Sequence, residues 1–301
     1  MTHTFRTKKA ENNNGNPTVR RYKTRQRDNG SKADQSSDLE QMPEIHYNNF
    51  DKLSTAEIAV ACKEANISIQ TLSRPEILEQ LLKHANQEHG ASYGKGILEI
   101  THDGWGFLRK PSYQPSLEDI YVSQSQVKRF GLRPGDQVFG LVRAPKEGEK
   151  YRGMLRVESV NGLGTASPEL ISRKDFDHLT PLFPDERIRM ETLPDNIGAR
   201  IIDLIAPIGK GQRALIVAPP KAGKTAIVKH IANAITLNYP DIYLMMLLVD
   251  ERPEEVTDMR RFVKGQVISS TFDEPAENHM RVTDLCLEQA KRLVETVFRF
   301  C

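Results

Sequence analysis

The sequence predicts a multi-domain α+β protein, in which a small helical segment and a β-barrel precede an α/β domain. Capping boxes followed by apolar residues at helical spacing occupy residues 49–90. Short strands with period-two alternation follow, and apolar strands then alternate with helices. We therefore expect the following division: a disordered basic tail (1–45), a helical subdomain (46–92), a barrel domain (93–165), a linker (166–195) and an α/β domain (196–301).

Composition limits the class of protein. A chain of 301 residues can hold two domains and tails. No apolar run approaches the roughly 20 residues that span a bilayer, and the polar N-terminus lacks a signal peptide, so we expect a cytoplasmic protein. Cys62, Cys286 and Cys301 are far apart and odd in number, which predicts neither a disulfide framework nor a zinc site.

The net charge of +2 is unevenly distributed. Residues 1–32 carry nine Lys and Arg against only Glu11 and Asp28. A segment with so few large apolar residues cannot offset its ordering entropy, which predicts disorder. Two functions stay open for it, a salt-sensitive tether for nucleic acid or a solubilising tail.

The helical segment contains two capping boxes, Ser54–Glu57 and Ser73–Glu76, each before an apolar set. They predict two short helices with too few apolar residues for a core of their own. We expect them to pack on the following domain as a structural lid, with contact to nucleic acid through Lys63, Arg74 or Lys83 as the alternative.

Five short strands separated by turn clusters predict a small barrel. The strands are 97–100, 104–108, 120–122, 137–142 and 151–160.

The second of these strands places Trp105, Phe107 and Arg109 on one face, because residues two apart share a face. If that face were core, Arg109 would be an unpaired buried charge. If it faces solvent, the aromatics can stack on bases while the arginine meets a phosphate. Tyr121 and Tyr151 on neighbouring strands favour stacking; a purely structural aromatic core is the alternative.

A phosphate-binding loop is indicated by Ala218–Thr225, which lies between the apolar run Ala214–Val217 and the helix-prone run Ala226–Ala234. A buried strand, a loop and a helix N-terminus form such a site. Lys224 would reach the β- and γ-phosphates and Thr225 would bind Mg²⁺. A chance Gly-Lys-Thr at a helix start is the alternative. The glycine-rich turn Gly209–Arg213 either begins the strand or lies beside the nucleotide.

Beyond this loop, the pattern predicts alternating helices and strands: helix 224–237, strand 242–249, helix 254–262, strand 267–270 and helix 277–294. The strand 242–249 is apolar on both faces, as a buried parallel strand should be. Ligands bind at the carboxyl ends of such strands, where Asp250 to Glu255 follow. We expect Glu251 to activate the attacking water and Arg252 to contact the nucleotide; a charged helix start is the alternative.

Seven stretches together resemble the Rho family of bacterial transcription termination factors over about residues 50–295. They are Gly104–Arg109, Asp119–Ser123, Pro145–Glu149, Pro207–Arg213, Ala218–Thr225, Asp250–Thr257 and Ser270–Pro275. The family more often has phenylalanine at Trp105, and its phosphate loop also opens with alanine and two prolines.

The resemblance implies an oligonucleotide-binding, cold-shock-like barrel and a RecA-like phosphate-loop ATPase domain. It also implies an RNA-dependent, ATP-hydrolysing and Mg²⁺-dependent helicase that forms a homohexamer. Such a helicase binds pyrimidine-rich single-stranded RNA and releases the transcript from the RNA polymerase elongation complex. The implied RNA-binding residues are Gly104, Trp105, Gly106, Phe107, Leu108, Arg109, Asp119, Ile120, Tyr121, Glu149, Lys150 and Tyr151. The implied nucleotide-binding residues are Gly209, Lys210, Gly211, Gln212, Arg213, Ala214, Lys221, Ala222, Gly223, Lys224, Thr225, Ala226 and Arg252. Together with the position of Glu251 after its strand, this makes Lys224 and Glu251 the expected catalytic residues.

The sequence departs from the family at Thr296–Cys301, where the family has an apolar strand ending in a Mg²⁺-binding aspartate. This predicts a C-terminally truncated copy with an incomplete ATPase domain. A non-catalytic RNA-binding fragment is therefore the alternative function. A metabolic phosphate-loop kinase fits the loop but not the aromatic barrel.

Overall fold

The computed structural model describes residues 45–69, 72–86, 92–219 and 222–297. The predicted basic tail lies outside these ranges apart from its last residue, so its disorder stays a prediction. Within the described ranges, no helix has the length and apolarity that crossing a membrane requires.

Three short helices open the described chain: α1 (Tyr47–Asp51), α2 (Thr55–Glu64) and α3 (Arg74–Ala85). The two predicted capping boxes form, since Glu57 and Glu76 each accept a 2.8 Å hydrogen bond from the backbone N–H of the N-cap serine. Helix α1 has no counterpart in the predicted pair.

These helices pack on the barrel, as expected. Ile58, Leu78 and Leu82 are buried in one cluster with Phe139 of the barrel. In addition, the backbone N–H of Tyr47 donates a 2.9 Å hydrogen bond to Glu158. The helical segment therefore shares its core with the domain that follows.

The barrel is confirmed. Its strands are β1 (Ser92–Ile100), β2 (Gly106–Arg109), β3 (Ile120–Val122), β4 (Gln137–Arg143) and β5 (Arg152–Val160). They pair in the order β3-β2-β1-β4-β5, and a parallel β3–β5 pairing closes the barrel. Leu98, Leu108 and Val122 lie in its buried core. Helix α4 (Gln124–Arg129) connects β3 to β4, and the short β6 (Leu163–Gly164) extends β5.

A region of short elements leads from the barrel to the α/β domain. It contains α5 (Pro168–Ile171), a 3-10 turn (Phe176–His178) and β7 (Arg187–Ile188). Helix α6 (Ile197–Ile205) and β8 (Ile208–Gly209) follow, and β8 pairs with β7 in the antiparallel sense.

The α/β alternation is also confirmed. Its elements are α7 (Lys224–Asn238), β9 (Met245–Glu251), α8 (Pro253–Phe262), β10 (Gln266–Thr271) and α9 (Ala276–Val297). Strands β9 and β10 are parallel. Ala232, Met246 and Met259 form a small core between the helices and this sheet.

The predicted buried strand at Ala214–Val217 is wrong. The structure has no strand there, and Leu215 and Val217 are 86% and 82% exposed. An extended segment becomes a strand only when its N–H and C=O groups find a partner, and none among the described residues pairs with this run. The strand 242–249 likewise begins later, at Met245, and only Met246 in it is buried.

The barrel and the α/β domain share a further apolar cluster. Ile97 and Tyr113 of the barrel domain are buried with Ile268, Val282 and Leu285. At the edge of this contact, Arg133 forms a 2.9 Å ion pair with Glu295 of α9. The loop 110–119, which follows β2, thus contacts the α/β domain through Tyr113.

Candidate functional sites

Three aromatic rings, Phe107, Tyr121 and Tyr151, contact one another on the outside of the barrel, and Trp105 lies two residues before Phe107. These four residues are here called the aromatic surface. Phe107 and Tyr121 face each other across the β2–β3 pair. The Phe107 ring lies 6.0 Å from the Tyr121 ring and 5.0 Å from the Tyr151 ring, centroid to centroid, in edge-to-face geometry. Trp105 and Tyr121 are 38% and 36% exposed.

The strand pattern explains this surface. Gly106 and Leu108 are buried while Phe107 between them is only half-buried. Alternation therefore directs Phe107 outward, where its neighbours are aromatic rather than aliphatic. Gly104, with φ of +83°, makes the turn that brings Trp105 to the start of β2.

The sequence predicts that Arg109 faces solvent, but the structure buries it. It is 8% exposed, its Nε lies 2.6 Å from Glu99, and it forms a second ion pair with Asp119. Its guanidinium carbon also lies 5.0 Å from the centroid of the Phe107 ring. Period-two alternation identified the face of β2 on which Arg109 lies, but it could not show that the loop carrying Asp119 covers this face. The buried charge is paired, and Arg109 holds Phe107 and Asp119 in place rather than standing open to a phosphate.

The other predicted RNA-binding residues fall into two groups. Leu108, Ile120 and Asp119 are buried and support the surface from beneath. Glu149 and Lys150 are exposed beside Tyr151, whose ring centroid lies 5.4 Å from the Lys150 ammonium. Hydrogen bonds from Arg143, aided by one from the Lys146 backbone, lower the pKa of Glu149 to about 2, so this carboxylate is ionised at neutral pH.

The phosphate loop is described at Ala218, Pro219 and Ala222 onwards, whereas Lys221 lies outside the described residues. Gly223 has φ of +89° and caps the N-terminus of α7. Lys224 and Thr225 are the first two residues of that helix. They line a pocket together with Glu251, at the end of β9, and Glu255, in the first turn of α8. The structure thus brings together the lysine, the hydroxyl and the carboxylate that the sequence singled out.

Glu251 has a raised pKa. The main cause is a hydrogen bond shared with Glu255, to which burial and the charges of Glu255 and Asp250 add, while Lys224 opposes it. Asp250 occupies a bulge in β9 with φ of +60°, a strained conformation for a residue with a Cβ. Sequence reasoning missed Glu255 as a partner of Glu251, although its place four residues on, in the first turn of a helix, is a usable signal.

The remaining nucleotide-binding predictions do not meet at this pocket. Gly209 belongs to β8, and its N–H donates a 2.7 Å hydrogen bond to Gln212 within the turn. Lys210 forms an ion pair with Glu186, and Arg213 and Ala214 are exposed. Ala222, Gly223 and Ala226 are exposed around the loop, and Arg252 is the exposed N-cap of α8. The roles of these residues, like that of Gly211, stay predictions.

Comparison with known families matches both regions. The model of the Rho termination factor RNA-binding domain covers residues 94–166, which include the whole aromatic surface. The model of the ATP synthase alpha/beta family nucleotide-binding domain covers residues 198–295, which include the phosphate loop and Glu251. The chain belongs to the Rho family. The barrel is therefore a Rho RNA-binding domain, and the α/β region is a RecA-like nucleotide-binding domain.

Curated relatives agree with this assignment. Transcription termination factor Rho of Aquifex aeolicus is 51% identical over 246 residues, which are 80% of this chain and 56% of the relative. The Bacillus subtilis Rho is 48% identical over 84% of this chain and 60% of the relative. The Escherichia coli Rho is 49% identical over 76% of this chain and 56% of the relative. The chain thus spans somewhat more than half the length of these Rho proteins.

Proposed function

We propose that the chain is an RNA-dependent ATPase of the transcription termination type. It binds nascent, pyrimidine-rich single-stranded RNA on the aromatic surface and hydrolyses ATP at the phosphate loop. As part of a homohexamer it translocates and releases the transcript from RNA polymerase. The observation that carries the proposal is the presence, in one chain, of an exposed aromatic surface on a closed barrel and a Lys224–Thr225–Glu251 pocket. The names of the relatives support it.

Base stacking explains how the aromatic surface binds RNA. Unpaired bases stack on exposed rings, and each stacked base contributes about 1–3 kcal/mol. The exposed rings of Trp105 and Tyr121 and the half-buried ring of Phe107 offer faces for stacking, and Tyr151 packs edge-to-face against Phe107. The buried Asp119 carboxylate pairs with Arg109 and accepts a 2.7 Å hydrogen bond from the Ser116 N–H, so it holds the support of these rings in place.

The nucleotide pocket supplies the elements of phosphoryl transfer. The N–H groups at the start of α7 and the helix dipole attract the phosphates, and Lys224 adds a positive charge. The Thr225 hydroxyl is an oxygen ligand of the kind that Mg²⁺ prefers, and a bound Mg²⁺ would neutralise charge on the phosphates. Glu251 orients the attacking water and accepts its proton once the proton shared with Glu255 has left.

Separate binding titrations test the two sites. Trp105 is the single tryptophan, so its fluorescence reports RNA binding at the aromatic surface. We expect a pyrimidine-rich oligonucleotide to change this fluorescence, and Lys224→Ala to abolish ATP binding with RNA affinity unchanged. Loss of both affinities in Lys224→Ala, with the folded circular dichroism spectrum retained, would contradict the separation of the two sites.

A further inference from the structure

A second cavity lies at one end of the barrel, where the starts of β3 and β5 meet the end of β2. It has a volume of about 390 Å³, within the range of roughly 300–1,000 Å³ typical of small-molecule sites. We call it the mouth cavity, and it is lined by Gly94, Lys95, Leu108, Lys110, Glu118, Ile120 and Arg152. None of Gly94, Lys95, Lys110, Glu118 and Arg152 is among the RNA-binding residues that the sequence predicts.

The floor of the mouth cavity is apolar. Leu108 and Ile120 are barrel core residues that form it together with Gly94. A Cβ at position 94 would lie 2.3 Å from the Ile120 Cδ1, so glycine is required for the strand to pass this close. The floor is therefore a small, fixed apolar patch at the open end of the barrel, since Leu108 and Ile120 are only 2% and 5% exposed.

The rim of the mouth cavity is cationic. Lys95, Lys110 and Arg152 line it with one acidic residue, Glu118, and Lys95 is paired with Glu79 behind the rim at 2.8 Å. Lys110 forms an exposed ion pair with Glu118, of the kind that contributes little energy and exchanges readily. The Arg152 guanidinium donates a 2.5 Å hydrogen bond to Ser92, which uses one of its five N–H donors. An anion at the rim would meet donors that need no rearrangement of the barrel.

The mouth cavity lies across the strands from the aromatic surface, because neighbouring residues of a strand point to opposite faces. Leu108, Ile120 and Arg152 each line the cavity, and each is next in sequence to an aromatic residue of the surface. Ile120 and Arg152 also face each other in the β3–β5 pair. A strand of RNA that leaves the aromatic surface therefore reaches the mouth around the starts of β3 and β5, where Arg152 directly follows Tyr151.

We propose that the mouth cavity binds one nucleotide of the same RNA strand, next to those stacked on the aromatic surface. Lys110 and Arg152 hold its phosphate, and its base or sugar rests on Leu108 and Ile120. An apolar floor with a cationic rim matches the two halves of a nucleotide. This inference rests on the proposed RNA binding and extends it to a further subsite.

The test uses a double variant, here called the mouth variant, that carries both Lys110→Gln and Arg152→Gln. It is compared with a matched control. The control, Lys128→Gln with Arg129→Gln, also removes one lysine and one arginine, on α4, which follows the opposite end of β3. Affinities for oligocytidylates of two to eight nucleotides are measured at several salt concentrations in the full chain. Circular dichroism verifies that each variant is folded.

We expect the unaltered chain and the control to gain affinity for RNA once the oligonucleotide is long enough to extend beyond the aromatic surface into the mouth cavity. The mouth variant should lose this gain and bind the shortest oligonucleotides normally. Its slope of log K against log salt should fall by about 0.7 for each phosphate contact removed. Equal behaviour of the mouth variant and the control would overturn the inference with RNA binding intact. Absence of RNA binding by the unaltered chain would instead overturn the proposed function itself, and the inference with it.

Discussion

The barrel and the nucleotide-binding region differ in how completely their strands are paired and their apolar side chains are buried. In the barrel, five strands close on themselves, so every strand has two neighbours and Leu98, Val122 and Val138 are completely buried. In the nucleotide-binding region, β9 pairs only with β10 among the described residues. Leu204, Leu215 and Val217 are each more than 80% exposed there. The barrel therefore contains its own stabilising contacts, whereas the nucleotide-binding region leaves apolar surface uncovered.

This difference shows how each site is held. The aromatic surface rests on a closed scaffold, and its supporting residue Arg109 is fixed by two ion pairs. The phosphate-loop pocket rests on two parallel strands and the ends of two helices. A substitution in the barrel should therefore change only the site around it. A substitution in the nucleotide-binding region should also change the less tightly packed structure that surrounds it.

The largest expected effect concerns the aromatic surface. Trp105→Ala combined with Phe107→Ala removes two rings, so RNA affinity should fall by about 2–6 kcal/mol on the scale of about 1–3 kcal/mol per stacked base. Fluorescence anisotropy of a labelled pyrimidine oligonucleotide measures it, since the variant lacks tryptophan. ATP affinity serves as the control and should stay unchanged. Unaltered RNA affinity would show that these rings only pack the barrel.

A matched pair of leucines tests the difference in packing. Leu98→Ala in the barrel core should lower the free energy of unfolding by about 2–5 kcal/mol, because it opens a cavity at a completely buried site. Leu215→Ala, at a residue 86% exposed, should change it by less than about 0.5 kcal/mol. Urea denaturation followed by circular dichroism measures both. Similar losses in the two variants would mean that Leu215 is covered in solution.

The contact between the two regions should show a smaller effect. The Tyr113 hydroxyl forms hydrogen bonds with Gln289 and Gln266, the latter at 2.9 Å, and Tyr113 is completely buried. Tyr113→Phe removes one hydrogen bond from each amide while the two amides stay bonded to each other, which should cost about 0.5–1.5 kcal/mol. Amide hydrogen exchange should quicken in α9 and β10 and stay unchanged in β4. Faster exchange throughout the barrel would contradict the view that the barrel is stable by itself.

The smallest effect on stability, with a distinct effect on pH dependence, should come from Glu255→Gln. Glu255 is the main cause of the raised pKa of Glu251. A base must be deprotonated, so ATPase activity falls as pH drops through the pKa of Glu251. Removal of the second carboxyl lowers that pKa, so the acidic limb of the pH–rate profile should move to lower pH. A limb that stays in place would exclude Glu251 as the titrating base.

Local patterns predicted what local forces determine. Period-two alternation identified the strands of the barrel, and Ser-x-x-Glu spacing identified α2 and α3, because each depends on residues close in sequence. The ion pair of Arg109 with Asp119 could not be predicted, because a loop separates the two residues, which lie ten positions apart in sequence. The run Ala214–Val217 is apolar enough for a strand, but apolarity specifies burial and not a pairing partner. Glu255 follows Glu251 by four residues, in the first turn of α8; this spacing is a signal for the pair, but it does not by itself show that the two carboxyls meet.

RNA-stimulated release of phosphate from ATP tests the central claim most directly, because it requires both sites in one chain. We predict that pyrimidine-rich RNA increases phosphate release by the 301-residue chain. Glu251→Gln should abolish release with RNA affinity retained, and Trp105→Ala with Phe107→Ala should remove the stimulation. Phosphate release that is absent in the unaltered chain, or that persists in Glu251→Gln, would contradict the account.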